Sequence, residues 1–246
     1  PTWSAFWKYF HLNFSALGLK KLISTHYDKN EPTYKMEYTG GDDNDIEVGV
    51  KTPLEGNGDF RNQECINLLD EADIVVTNPP FSLFREYVAV LMEHEKKFLI
   101  IGSLNAVKYS ECFPFIMNNQ MWLGNNNVHD FIQPDGTTKK FGNINWYTNL
   151  DFAKRHEKLI LWKEYNDAEY PKYETYDAIE VSKVTNIPID YDGIMGVPVS
   201  FMSKYNPEQF DIVGEFNHGS DNIFDLAKPV INGKEYGPFV DIRPKS

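Results

Sequence analysis

Asn78, Pro79, Pro80 and Phe81 follow one another in this chain, and their side chains suit one kind of chemistry. Asn78 carries a side-chain carbonyl acceptor. Proline fixes its own φ and drives the residue before it out of the helical region. The Pro79 backbone carbonyl therefore points in a direction set by two locked rings. Two acceptors converging on one point hold an exocyclic amino group by both of its hydrogens. Phe81 adds a flat apolar face on which a planar ring can stack, as flipped-out bases do. An amino nitrogen held in this way keeps its lone pair free for a methyl donor. The competing reading is structural: a strand end closed by a Pro-Pro turn, with Phe81 in the core.

The elements around these residues must present them. Ile74 to Val76 is a short β-branched run, the pattern of a strand buried on both faces. The prolines stop that strand at Asn78 and stiffen the loop after it. Ser82 fits an N-cap, and Leu83, Phe84, Tyr87, Val88 and Leu91 follow at helical spacing. Strand, rigid polar loop and helix together are the edge of an open α/β sheet, where ligands bind. Lys97 to Gly102 reads as another buried strand, ended by Ser103-Leu104-Asn105. A helix over Ser110 to Asn118, a strand over Met121 to Gly124 and a half-buried strand over Phe141 to Leu150 come next.

Before this centre, Trp3, Phe6, Trp7, Phe10, Phe14 and Leu17 recur at helical spacing and predict a core-facing helix ended by Gly18. Leu22 to Tyr27 reads as a strand with Asp28 at its end. An acidic residue at the end of the second strand of a nucleotide-binding unit takes ribose hydroxyls, and Asp is also a common turn residue. Residues 29–57 read as an insertion, with Tyr34 to Tyr38 and Ile46 to Val50 pairing as a hairpin. The carboxylates at 42, 43 and 45 in its loop lack the Gly and Glu spacing of a calcium loop, so no metal is expected there. In Gly58-Asp59-Phe60, Asp59 can cap the helix expected over Asn62 to Glu71. Beyond residue 164 the helical pattern fades into Tyr, Pro and Asp-rich sequence, with a hairpin expected over Val230 to Asp241 around Asn232-Gly233.

Composition narrows the class. The chain has 246 residues, of which 41% are hydrophobic and 15% aromatic, enough for a large core. No apolar stretch approaches the roughly 20 residues of a membrane span. Two cysteines exclude a disulfide framework and point to a reducing, cytoplasmic setting. No Cys/His spacing suggests zinc, and no Walker loop or G-x-S-x-G elbow is present. The net charge of −12 is the wrong sign for a protein that holds a polyanion. Its distribution is uneven: residues 135–163 carry 6 basic and 3 acidic residues, net +3. That window holds Lys139, Lys140, Lys154, Arg155, Lys158 and Lys163. A phosphate-facing strip there competes with an ordinary solvated surface.

Four longer stretches surround the tetrapeptide: FWKYFHLNFSALGLKKLISTHYD, GNGDFRNQECINLLDEADIVVTNPPFSLFREYV, KFLIIGSLNAV and FGNINWYTNL. Together they resemble the EcoRI-type family of adenine-specific DNA methyltransferases over most of residues 3–215. The resemblance implies an α/β fold with a Rossmann-like core over residues 1–163; the β-rich segment over 164–246 reads either as a target-recognition region or as a β cover on that core. It implies S-adenosylmethionine as donor, double-stranded DNA as partner, and adenine N6 as the methylated atom. Asn78, Pro79, Pro80 and Phe81 would form the catalytic loop, with Asp28, Asp59, Phe60 and Asn78 on the donor side. Asn143, Trp146 and Tyr147 would lie on the late strand beside the target base, and Lys139 and Lys140 on DNA. The family's first strand and donor loop would sit at or before Pro1. Two other readings remain open: an amino-group methyltransferase acting on RNA or on a protein glutamine, and a non-catalytic binding module.

Overall fold

A computed structural model describes residues 2–30, 32–133, 135–215, 227–237 and 239–245. The chain forms two units, residues 1–77 with 91–96, and residues 78–90 with 97–246.

In the first unit, helix α1 covers Ala5–Leu12 only. The apolar stripe overstates its length for a local reason. Asn13 turns its side-chain amide onto Tyr9 O at 2.8 Å, competing with the helical ladder, and Gly18 takes φ +64° in the turn beyond. Trp7 and Phe14 still reach the core, where they meet Met36 and Tyr38. Trp3 and Leu17, expected on the same buried stripe, are exposed. Strands β1 (Leu22–Thr25), β2 (Tyr34–Tyr38) and β3 (Val50–Pro53) form an antiparallel sheet in that order. Leu22 lies opposite Tyr38, and Tyr34 opposite Pro53.

That sheet changes two expectations. The strand before Asp28 pairs antiparallel with β2, not as the second strand of a parallel nucleotide-binding unit. The partner of Tyr34–Tyr38 starts at Val50 rather than Ile46, because the acidic loop folds on itself. Asp42 and Asp45 accept from the backbone of Asn44 and Glu47, and Asp43 accepts from Ser15 N and the Tyr38 hydroxyl. Helix α2 (Gln63–Glu71) and strand β4 (Ile74–Thr77) complete the chain order of this unit. Lys96 Nζ donates to Asp70 O at 2.8 Å and Ala72 O at 3.0 Å, satisfying carbonyls at the end of α2. Ile74 is 49% exposed, so β4 is not buried on both faces.

The second unit opens with a 3-10 turn over Phe81–Leu83 that leads into helix α3 (Phe84–Glu93), of which residues 84–90 belong to this unit. Strand β5 (Lys97–Ser103), helix α4 (Phe113–Met117), strand β6 (Trp122–Asn127), strands β7 (Asp130–Ile132) and β8 (Thr138–Lys140), and strand β9 (Ile144–Thr148) follow. β9 pairs antiparallel with β5 on one side and β6 on the other. Both of its faces are covered: Ile144, Asn145, Tyr147 and Thr148 are all buried, where alternation predicts a half-buried strand. α4 is shorter than the expected Ser110 to Asn118, since Pro114 can enter a helix only in its first turn.

The rest of this unit is built on strands β10 (Ala178–Glu180), β11 (Ile194–Val197), β12 (Phe210–Glu215), β13 (Val230–Ile231), β14 (Lys234–Glu235) and β15 (Val240–Pro244). Four of them form a sheet in the order β10, β11, β15, β12, with only β10 and β11 parallel. The expected hairpin at Asn232-Gly233 is present but spans only β13 and β14. Both of its turn residues take positive φ, 52° and 71°, as a two-residue primed turn requires. Val240 and Asp241 join the larger sheet instead.

Candidate active site

The Asn78–Phe81 loop is shaped by its own sequence. β4 ends at Thr77, and the two prolines carry the chain onward in extended conformation, Pro80 at φ −56° and ψ 126°. Pro80 O then accepts from Leu83 N at 2.9 Å, which closes the 3-10 turn. Ser82 lies inside that turn, so it does not cap α3 as its sequence position suggests. Pro79 is buried and anchors the loop, whereas Asn78 is exposed. Phe81 is 41% exposed, which overturns the reading of this ring as core. The core ring is Phe84, three residues on. It stands edge-on to Tyr147, with centroids 5.0 Å apart, and over Gly102. The helix that follows the loop is thus fixed on the sheet, while the loop presents an amide and an aromatic face to solvent.

Asp59 and Phe60 lie in a tight segment before α2. Gly58 takes φ +77°, and a Cβ there would fall 2.2 Å from His26 O, so only glycine fits. Asp59 N donates to Asn57 Oδ1. The Asp59 carboxylate accepts from Arg61 N and Nε at 2.9 Å each and from Arg61 Nη2 at 2.7 Å. The Arg61 hydrogen bonds hold the carboxyl below its usual range, so it is an ionised acceptor at neutral pH. Asn62, not Asp59, occupies the N-cap position of α2, and the capping role is therefore not the one Asp59 has. The Arg61 guanidinium lies 5.4 Å from the Phe60 ring centroid. Asp28, in its own turn, accepts from Asn30 N at 3.0 Å.

The residues expected beside the target base divide. Asn143 is exposed and takes φ +57°, with its carbonyl accepting from Leu104 N at 2.7 Å. Trp146 is half-buried. Tyr147 is fully buried, with its hydroxyl donating to Ser103 O at 2.7 Å, and burial pushes its ionisation well above the usual range. Tyr147 therefore packs the sheet beneath the loop, and no base reaches it.

The basic window divides too. Lys139 and Lys140 are exposed on β8, and Lys154 and Lys158 are exposed further on. Arg155 is only 7% exposed. Its guanidinium lies 3.7 Å from the Trp122 ring centroid and donates to Asn119 Oδ1. It is a structural cation and is not available to a phosphate. Lys163 is paired with Glu169 at 3.0 Å.

Sequence reading missed two features. One is Arg61, whose Asp-x-Arg spacing from Asp59 was the available signal. The other is a row across the late sheet, where Glu180 lies beside Gly196, Gly196 beside Asp241, and Asp241 beside Gly214. Glu180 takes the Tyr173 hydroxyl, and burial pushes Glu180 and Asp241 each up to about 7. Strand register sets this row, and no short motif announces it.

Comparison with known proteins gives the family. The family described as "Adenine-specific methyltransferase EcoRI" matches residues 1–236. The chain is 42% identical to the Type II methyltransferase M.EcoRI of Escherichia coli, over 95% of this chain and 80% of that protein. It is 38% identical to the Type II methyltransferase M.MpnI of Mycoplasma pneumoniae, over 85% of this chain and 70% of that one. No solved structure matches. Among the described residues, no helix is long and apolar enough to cross a membrane. With its amide-proline loop and these relatives, the chain belongs to the EcoRI family of adenine-specific methyltransferases and is an adenine-specific DNA methyltransferase of the type II, restriction-modification kind.

Proposed function

We propose that this enzyme methylates the exocyclic N6 of adenine with S-adenosylmethionine as donor, and that Asn78, Pro79, Pro80 and Phe81 are its catalytic loop. The observation that carries the reading is the exposure of Asn78 and Phe81 on either side of a Pro-Pro pair whose first ring is buried. Asn78 Oδ1 and the Pro79 carbonyl accept the two amino hydrogens and so orient the nitrogen lone pair. As the new N–C bond forms, the nitrogen becomes cationic, and the same two acceptors stabilise that charge. The product nitrogen then loses one proton to water, so no strong base is needed. Phe81 stacks on the adenine ring and keeps it out of the duplex. S-adenosylmethionine, when bound, supplies an electrophilic methyl group on a sulfonium.

The donor side rests on Asp59, Phe60 and Asp28. The ionised Asp59 carboxylate has the charge and acceptor capacity to take an adenine amino group or a ribose hydroxyl, and Phe60 has an apolar ring for the adenosyl base. Asp28 follows β1 with a carboxylate suited to ribose hydroxyls. A Rossmann-like core within residues 1–163 and a β-rich segment over 164–246 that contributes to target recognition are parts of the same reading, supported by the strand, loop and helix at 74–93. Asn143 and Trp146 are retained as neighbours of the target base. Lys139, Lys140, Lys154 and Lys158 are assigned to DNA phosphates.

The test is methyl incorporation from labelled S-adenosylmethionine into unmethylated genomic DNA, followed by nucleoside mass analysis. N6-methyladenine is the expected product. Label in RNA or protein but not in DNA would contradict the reading.

A further inference from the structure

Among the described residues, β7 and β8 pair only with each other. Asp130 lies opposite Lys140, Phe131 opposite Lys139, and Ile132 opposite Thr138. The ladder continues at both ends: Phe141 N donates to His129 O at 2.9 Å and Gln133 N to Thr137 O at 2.7 Å. Gly136 takes φ +83°, and Asp135 Oδ1 accepts from Thr137 N at 2.9 Å and Thr137 Oγ1 at 2.6 Å. The result is a two-stranded antiparallel ribbon.

Residues opposite one another in an antiparallel pair share a face. One face of the ribbon carries Phe131, Lys139 and Phe141. The two rings meet edge to face with centroids 5.2 Å apart, and Lys139 Nζ lies 4.8 Å from the Phe141 centroid. This side is a small aromatic and cationic cluster. The other face carries Asp130, Ile132, Thr138 and Lys140, all exposed, with Ile132 at 75%. A single exposed aliphatic side chain is ordinary. Here it stands opposite a threonine, on a ribbon of an enzyme that acts on DNA.

A two-stranded ribbon is one of the elements that the major groove of B-DNA admits, the groove being about 12 Å wide and 8.5 Å deep. Four residues from the root to the tip span roughly 13 Å, long enough to reach the base edges. Isoleucine and threonine methyl groups match the C5-methyl of thymine, and the threonine hydroxyl can bond a neighbouring base edge. The two lysines lie one and two steps nearer the root, where the flanking phosphates would be. Asp130 and Asp135 offset them in formal charge, so net attraction does not bring the ribbon in. Shape and base-edge contact must do so.

We propose that the β7–β8 ribbon enters the major groove of the substrate duplex, where Ile132 and Thr138 read a thymine-containing base pair while Lys139 and Lys140 hold the flanking phosphates. The proposal rests on adenine methylation of DNA as the activity. Its test uses the full chain with unmethylated genomic DNA and maps the sequence context of every N6-methyladenine, for wild type and for Ile132→Ala with Thr138→Ala. Discrimination at one A·T position should fall about tenfold or more in the double variant, with melting temperature and donor affinity unchanged. The same context and the same relative rates at near-cognate sites, in a folded double variant, would overturn the proposal. If the double variant melts early, Ile132→Val and Thr138→Ser taken singly keep the strand shape and must still relax the context; unchanged contexts in both overturn it equally. A wild type that leaves no N6-methyladenine in DNA would instead overturn the activity on which the proposal stands.

Discussion

Gly102 on β5 lies so close beneath Phe84 that a Cβ built on it would sit 2.4 Å from Phe84 Cε2. This packing seats the first turn of α3 on the sheet, and the proposed catalytic loop ends only three residues before Phe84. Gly102→Ala must push the ring away or tilt the helix, an overpacking cost of about 1–3 kcal/mol. The expected outcome is a lower melting temperature together with a turnover loss larger than the loss of folded protein explains. Unchanged turnover in a variant of lowered stability would show that the loop is independent of this packing.

Asp59 and Arg61 separate a binding role from a structural one. Their ion pair is partly exposed and is worth about 1 kcal/mol at most. Asp59→Ala should weaken donor affinity more than it slows methyl transfer, whereas Arg61→Ala should leave the carboxylate in place and change affinity only a few-fold. Calorimetric donor titration and thermal melting on both variants make the comparison. Equal losses of melting temperature with donor affinity intact in both would assign the pair to the turn alone.

The buried carboxyls of the late sheet set a pH dependence of stability. Burial raises Glu180, Asp241 and Glu215 each to about 7. A raised carboxyl is neutral in the folded state while the unfolded chain has already ionised. Stability is therefore lost as pH climbs from the ordinary carboxylate range to about 7, and the loss levels off above that. For Glu180 this costs at most about 3 kcal/mol. Glu180→Gln keeps an acceptor for the Tyr173 hydroxyl and cannot ionise, so its melting temperature should fall less than that of wild type between pH 5 and pH 8. His156, raised by its bonds to Asp151 and Glu208, also loses stabilisation as pH rises, but equally in both proteins. Parallel melting curves across this range would contradict the assignment.

Lys139→Glu with Lys140→Glu should weaken binding to every duplex. It should flatten the slope of log affinity against log salt by about 2, at about 0.9 for each phosphate no longer neutralised. Arg155→Ala should leave that slope alone and lower the melting temperature, because its guanidinium is stacked on Trp122. Fluorescence titration of a labelled duplex at several salt concentrations reads both. An unchanged slope in the lysine variant would return these side chains to the solvated surface.

The loop was legible because proline acts locally: Asn78-Pro79-Pro80 must end a strand whatever surrounds it. The helical spacing of Phe84, Val88 and Leu91 was legible for the same kind of reason, and all three are buried. Arg155 was not. Its burial depends on Trp122, more than thirty residues earlier in the chain, and charge counting placed it with the exposed lysines. Tyr147 and Trp146 fall on opposite faces of β9, but alternation along one strand cannot say that both faces are covered by residues distant in the chain. The β7–β8 ribbon is not among the elements the sequence pattern predicts, and its two faces follow only from the register that pairs Ile132 with Thr138.

The role of Asn78, holding the amino group in the transition state, is central to the proposed chemistry. It is tested most directly by single-turnover methyl transfer from labelled S-adenosylmethionine to unmethylated DNA with Asn78→Ala, at donor and DNA concentrations that saturate both proteins. Asn78 is exposed at a strand end, so the variant should melt as wild type does. The transfer rate should fall by on the order of 10² or more, the scale of removing one preorganised polar group from a transition state. A folded, saturated Asn78→Ala protein that transfers methyl groups at the wild-type rate would contradict this role.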